Sequence, residues 1–360
     1  MSPVLTSAGL RAFVDARLPR VHEALDAHVR VAASELPVAG PDYARLWESI
    51  GEQFSGGKNL RPSLTLASYA GLGGDDPDAV VPVAAAMEML HTAMLVHDDI
   101  LDHDEVRRGR PNVAGCRRAD LADRDLTPDR VEDHVLSAAL LGGDLALSSA
   151  YDLISRTQLP AHHRIACLDL VTRAVRATIA GELLDMYGDL TPVAEADAVR
   201  VAELKTATYS FVVPLLAGAQ LAGADPTMVT HLERIGTGLG LSFQLADDDL
   251  GVFGDTAETG KSNLSDLRSG KRTELVRQAF VAATPEQLAV LERHVGDPDL
   301  TVAQADTVRE IIADTGARGR TAALSKRYAR DAARIARERV PAPLSGFLVD
   351  LVDTLDGRSA

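Results

Sequence analysis

Aromatic residues are scarce in this chain: seven Phe and six Tyr serve 360 residues. Its core must therefore be mostly aliphatic. Cysteine is scarcer still, and Cys116 and Cys167 stand in unrelated surroundings without ligand spacing. A reduced, cytoplasmic setting is the simplest reading. Basic charge is in deficit, with a formal net charge of −15. That argues against a general nucleic-acid partner, which would need a basic face to neutralise phosphates. Any anionic ligand must be held by local basic clusters or by metals. Long apolar runs are missing too. The most apolar stretch, Val80 to Val96, contains Glu88 and His91. At about 17 residues it is at the short limit for a membrane span and reads as a buried helix. The N-terminal "MSPVLTSAGLRAFVDARLPR" carries charge throughout and has no signal-peptide core. No alternating strand of convincing length, internal repeat or low-complexity linker is present.

What remains is helix. Ala and Leu are abundant, and apolar residues recur at three- and four-residue spacing. "GLRAFVDARLPRVHEALDAHVRVAAS" reads as an amphipathic helix with Pro19 as a point of bending, and "RVAASELPVAGPDY" reads as a turn. Further helices are expected over Lys58–Leu72, Pro77 to about Asp104, Leu136–Thr157, His162–Tyr187, Ala194–Leu221, Pro226 to about Phe253, Thr284–Val295, Val302–Val340 and Leu344–Leu355. The pattern predicts an all-α fold, one helical domain over residues 1–360. The polar stretches Arg108–Arg130 and Gly254–Arg272 are its candidate active-site loops.

The chemistry collects at two helix ends. In "LVHDDILDHDEVRRGRPN", Asp98, Asp99 and Asp102 lie at about 0°, 100° and 40° on a helical wheel, on one face. Leu95, Met94, His91, Glu88 and Met87 fall on or beside that face in the preceding turns. A helix C-terminus disfavours negative charge, so the cluster is not casual. A second cluster, "FQLADDDLGVFGD", repeats the adjacent pair as Asp247 and Asp248, with Gln244 one turn earlier on the same side. Carboxylates that cannot neutralise one another call for cations, and hard oxygen ligands with room for water suit Mg²⁺. His97 reads as structural, and Asp144 as a buried helix partner.

The basic residues indicate the ligand. "SGGKNLRPSL" places Lys58 and Arg61 at a glycine-rich helix start, where backbone N–H groups also attract anions. Lys205 and Thr206 sit in "ELKTATYS", and Lys261 and Lys271 flank "GKSNLSDLRSGK". A diphosphate needs bridging Mg²⁺ to approach the aspartates. A second could sit on Lys58, Arg61 and Arg108 without metal. Two anion pockets and one apolar tunnel imply two diphosphate substrates and a greasy product.

These segments together resemble the trans-isoprenyl diphosphate synthase (polyprenyl synthase) family. "GGKNLRP", "HTAMLVHDDILDHDEVRRGRPN", "GDLALSSAYDLI", "AGELLDM", "KTATYS", "FQLADDDLGVFGD" and "GKSNLSDLRSGKRT" are similar to its blocks in order, over about 60% of the chain, Gly56 to Thr273. The resemblance implies an isoprenoid-synthase helical bundle with a central active-site cavity, working as a homodimer. It implies condensation of isopentenyl diphosphate with an allylic prenyl diphosphate, using three Mg²⁺. Asp98 and Asp102, supported by Asp99, would hold two metals on the allylic diphosphate; Asp247, with Asp248, would hold the third. Lys205, Lys261 and Arg107 would contact the same diphosphate. Lys58, Arg61, His91 and Arg108 would bind isopentenyl diphosphate, and Thr206 and Gln244 would line the reacting end of the allylic chain.

Two departures stand out. The second motif has Gly251 at its third acidic position, so the third metal would rest on Asp247 and waters. Glu182 stands where the family often has Gln. Bulky aromatics ahead of the first motif often set short products in the family; here Ala93 and Met94 occupy those positions. Met94 would border an open tunnel, which points to geranylgeranyl diphosphate, or to longer polyprenyl diphosphates. A terpene cyclase would need only one diphosphate pocket, against which Lys58, Arg61 and Arg108 speak. A non-catalytic synthase subunit would be expected to lack the aspartate pairs.

Overall fold

A computed structural model describes residues 6–188, 190–254 and 263–356. Among these the chain is almost wholly helical, and the expected all-α fold is present. Contacts gather into two compact units: Met1–Thr172 with Pro214–Asp225, and Arg173–Val213 with Pro226–Ala360.

In the first unit the Val81–Leu101 helix is central. Met87, Met89, Leu90 and Ala93 on it are wholly or almost wholly buried, as its all-round apolar sequence requires. It packs along the Pro128–Ser155 helix and against the Leu60–Gly71 and Ser7–Glu35 helices. The last runs unbroken through Pro19. In the second unit the Pro226–Phe253 helix plays the same part, packed on the Glu203–Val212 segment and on the Ala317–Arg339 helix. A second cluster of Leu267, Leu275, Leu291, Leu300, Val308 and Ile312 closes behind it.

Several expected elements differ. The supposed turn before Tyr43 gives way at Pro41 to a helix, Pro41–Glu52, with proline at its first turn. The Ala194–Leu221 helix is divided: a short helix Ala198–Ala202, a π-helical stretch Glu203–Val212, then Val213–Leu221. Val302–Val340 is two helices, because Gly316 takes φ of 71° between them. The Arg108–Arg130 loop contains a helix, Val113–Asp120, capped by Asn112.

Candidate functional site

In the first unit the aspartates end the Val81–Leu101 helix, with Asp102 just past its last turn. Asp98 is partly exposed and Asp102 exposed, but Asp99 is only 4% exposed. It accepts a hydrogen bond from Arg107 Nε at 2.9 Å, and Arg107 also reaches Asp98 Oδ2 at 3.4 Å. The wheel placed all three on one face; within it Asp99 turns inward onto Arg107, while Asp98 and Asp102 stay accessible. Burial raises the pKa of Asp99, while the Arg107 guanidinium opposes the shift. The carboxylates of Asp98 and Asp102 would suit a hard divalent cation that takes one or two protein carboxylates and completes its shell with water and phosphate oxygens. Among the described residues no three His, Cys, Asp or Glu side chains form a ready-made cage.

Arg107 and Arg108 belong to a small hairpin, Val106–Arg107 against Arg110–Pro111. Its two turn residues, Arg108 and Gly109, both have positive φ, 53° and 72°. That pair of left-handed residues is what a two-residue hairpin turn of the I′ type demands, at a steric cost for Arg108. The turn lays Arg108 along the Gly56–Gly57 loop, where Nη1 donates to the Ser55 carbonyl at 3.3 Å. Two residues on, the Leu60–Gly71 helix starts at left-handed Asn59 with no side-chain cap. Lys58, exposed, and Arg61, half-buried, flank that start. Behind them lie Glu88 and His91, both buried. Burial holds the His91 imidazole well below its usual pKa, and Arg61 and Arg108 push the same way, so it is neutral at pH 7. Burial raises the Glu88 carboxyl, against the pull of Arg61 and Arg108. The basic cluster expected for the second anion thus comes together within this unit. Met94 is buried.

The second unit assembles the other half of the motifs. Lys205 and Thr206 lie on the π-helical Glu203–Val212 stretch. The Thr206 hydroxyl donates to Gln244 Oε1 at 2.9 Å, and Gln244 Nε2 donates to Asp248 Oδ1 at 2.7 Å. Asp247 is exposed beside this chain. Asp248 is pushed up to about 8 by burial, with Asp266 and Asp247 adding their repulsion. Asp249 turns away from Asp247, as the wheel requires, and pairs through both oxygens with Arg318 at 2.8 and 2.9 Å. At Gly251 a Cβ would lie 2.0 Å from Asp266 Oδ2, so the Asp266 carboxylate fills the space left by the missing third acid. Lys271 Nζ stands 3.9 Å from Asp266. Lys261 lies outside the described residues.

Asn112 and Asp185 had no role in the sequence reading. Asn112 is fully buried and bonds both the Asp104 carbonyl and the Gly115 amide, which fixes the loop under Asp99. Asp185, three residues after Glu182 in "AGELLDM", joins it on Lys205; the i, i+3 spacing was its only signal. Asp144 is exposed rather than buried, 3.5 Å from His97, because its helix turns that face outward.

The polyprenyl synthetase family model matches residues 44–313. Geranylgeranyl diphosphate synthase of Sulfolobus acidocaldarius is 32% identical over 278 residues, 75% of this chain and 78% of that protein. (2E,6E)-Farnesyl diphosphate synthase of Mycobacterium tuberculosis is 33% identical over 309 residues, 84% of this chain and 80% of that protein. The crystal structure of geranylgeranyl pyrophosphate synthase from Corynebacterium glutamicum, complexed with isoprenyl diphosphate and magnesium, is 28% identical and superposes with a TM-score of 0.87 over 96% of this chain and 98% of that one. On this evidence, and with the acidic and basic groups arranged as above, the chain belongs to the polyprenyl synthetase family of trans-prenyl diphosphate synthases and is a prenyltransferase of isoprenoid synthesis.

Proposed function

We propose that the chain condenses isopentenyl diphosphate with an allylic prenyl diphosphate to give geranylgeranyl diphosphate, with Mg²⁺ and as a homodimer, the whole chain forming one catalytic domain. Asp98 and Asp102 are the metal donors of the first motif and Asp247 that of the second, for three Mg²⁺ in all. Bound metal would supply the positive charge that lets a diphosphate leave. Lys205, Lys261, Lys271 and Arg107 hold the allylic diphosphate, and Lys58, Arg61, Arg108 and neutral His91 hold isopentenyl diphosphate. The allylic C–O bond breaks, the isopentenyl double bond supplies the electron pair for the new C–C bond, and a proton passes to the departing diphosphate. Fixed positive charge is the main device.

The observation that carries the product length is the helix ahead of Asp98. Its Ala93 and Met94 are both buried and neither is aromatic, so this helix sets no ring at those two positions against a growing chain. The archaeal geranylgeranyl relative agrees, whereas the mycobacterial relative carries the shorter farnesyl name. Purified protein with isopentenyl diphosphate and each allylic starter should give geranylgeranyl diphosphate by mass analysis, and none in excess chelator. Full turnover with chelator would remove the metals from the reading. Met94→Phe should shift the product toward farnesyl diphosphate, at about 1–3 kcal/mol of overpacking. An unchanged product from a folded, active Met94→Phe would take Met94 off the tunnel wall.

A further inference from the structure

Lys205 is held between two carboxylates. The backbone at Lys205 lies directly on Gly181: a Cβ at position 181 would come within 2.5 Å of the Lys205 amide nitrogen. That close approach brings the ammonium onto Glu182 Oε2 at 2.8 Å and Asp185 Oδ2 at 3.0 Å. Glu182 and Asp185 are one turn apart on the Ala161–Gly188 helix and share a face. One positive and two negative groups leave the trio at −1. An ammonium has three N–H donors, and two of them are directed at these carboxylates. An arriving diphosphate must approach Lys205 against these two carboxylates or displace one of them.

We propose that Glu182 sets the affinity for diphosphate: with Asp185 it competes for Lys205, which weakens binding of the allylic diphosphate and hastens release of the diphosphate product. The inference rests on reading Lys205 as a diphosphate contact. Glutamine at position 182 has nearly the same shape and keeps an oxygen that accepts from Nζ, but it carries no charge. The effect of Glu182 is therefore electrostatic, separable from its part in holding Lys205 in place. As a positioning residue it acts through Lys205 and needs no contact with substrate.

The test compares wild type, Glu182→Gln, Asp185→Asn, Lys205→Ala and the double variant Glu182→Gln/Lys205→Ala. Two quantities are read at fixed Mg²⁺: KM for the allylic diphosphate and the inhibition constant of inorganic diphosphate. Glu182→Gln should lower both about three- to tenfold, leave KM for isopentenyl diphosphate unchanged, and lose much of its advantage at high salt. Asp185→Asn should act in the same direction, which keeps the test open if one variant folds poorly. Lys205→Ala should raise both constants, and in its background Glu182→Gln should have no effect. Raised constants in Lys205→Ala together with unchanged or raised constants in Glu182→Gln would overturn the competition and leave Glu182 as a simple holder of Lys205. Unchanged constants in Lys205→Ala would overturn the reading of Lys205 itself, and this inference with it.

Discussion

Three adjacent carboxylates, Asp247, Asp248 and Asp249, have three different environments because successive helix residues turn about 100° apart. Asp249 is neutralised by Arg318, whose guanidinium also stacks on the Phe253 ring. Asp247 is exposed. Asp248 is drawn inward, where burial pushes its carboxyl up to about 8, so that it is largely protonated at pH 7 without metal. An unfolded aspartate titrates near 3.8, so between that value and 8 the folded state binds more protons. Stability is therefore lost as pH rises through this window, and the loss is complete above about 8. Asp248→Asn keeps an oxygen to accept from Gln244 and cannot ionise. In metal-free buffer its melting temperature should exceed that of wild type at pH 8, and the gap should close as pH falls toward 4. A gap that does not change with pH would show that Asp248 ionises freely in the fold.

At the scale of elements, the second motif shows how a helix and a neighbouring segment share one task. The Pro226–Phe253 helix has no side chain at Gly251, and the short Ser265–Arg268 helix puts the Asp266 carboxylate into that notch. Motif comparison alone would suggest restoring an aspartate at position 251. The packing argues the reverse. A Cβ there meets the end of the Asp266 side chain, and a third carboxylate would join Asp248 and Asp266 in one place. The better helix propensity of Asp over Gly offsets only a few tenths of a kcal/mol, against displacement of the Asp266 carboxylate and repulsion among three acids. Gly251→Asp should melt lower than wild type and lower than Gly251→Ala, which adds the Cβ without the charge and gains helix propensity, and neither should gain activity. A Gly251→Asp variant as stable as wild type and more active would mean that Asp266 does not need the notch. The sequence could not show this, because residues 251 and 266 are tied only by the fold. Periodicity did make the Pro226–Phe253 helix legible, because one apolar stripe runs its length. The π-helical stretch at Lys205 was not legible: its register depends on packing, with the Val213 amide donating to the Thr208 carbonyl five residues back. The inward turn of Asp99 was hidden for the same reason, since it depends on Arg107 arriving by way of the hairpin.

At the scale of the molecule, a chain with so aliphatic a core leaves apolar side chains outside where they serve contact. Among the described residues no helix is long and apolar enough to cross a membrane, so these side chains are not explained by a span. On the Ala161–Gly188 helix, Ile165, Ile179, Leu183 and Met186 are all about half exposed. At about 100° per residue they fall within about 60° of one another, which makes a single stripe. Leu136, Leu140 and Leu141 are similarly open on the Pro128–Ser155 helix. Scattered apolar surface residues need no explanation, but a stripe along one helix is the form a helix takes when it packs on another. The proposed homodimer supplies that partner, a second copy presenting the same stripe in self-complementary fashion. Sedimentation at micromolar concentration should give twice the 38.2 kDa chain mass. Ile179→Glu with Leu183→Glu would put four like charges across a two-fold contact, and should give a folded protein that sediments as a monomer, since both side chains already face water within one chain. A wild-type monomer, or a double variant that remains a dimer, would take the stripe out of the interface.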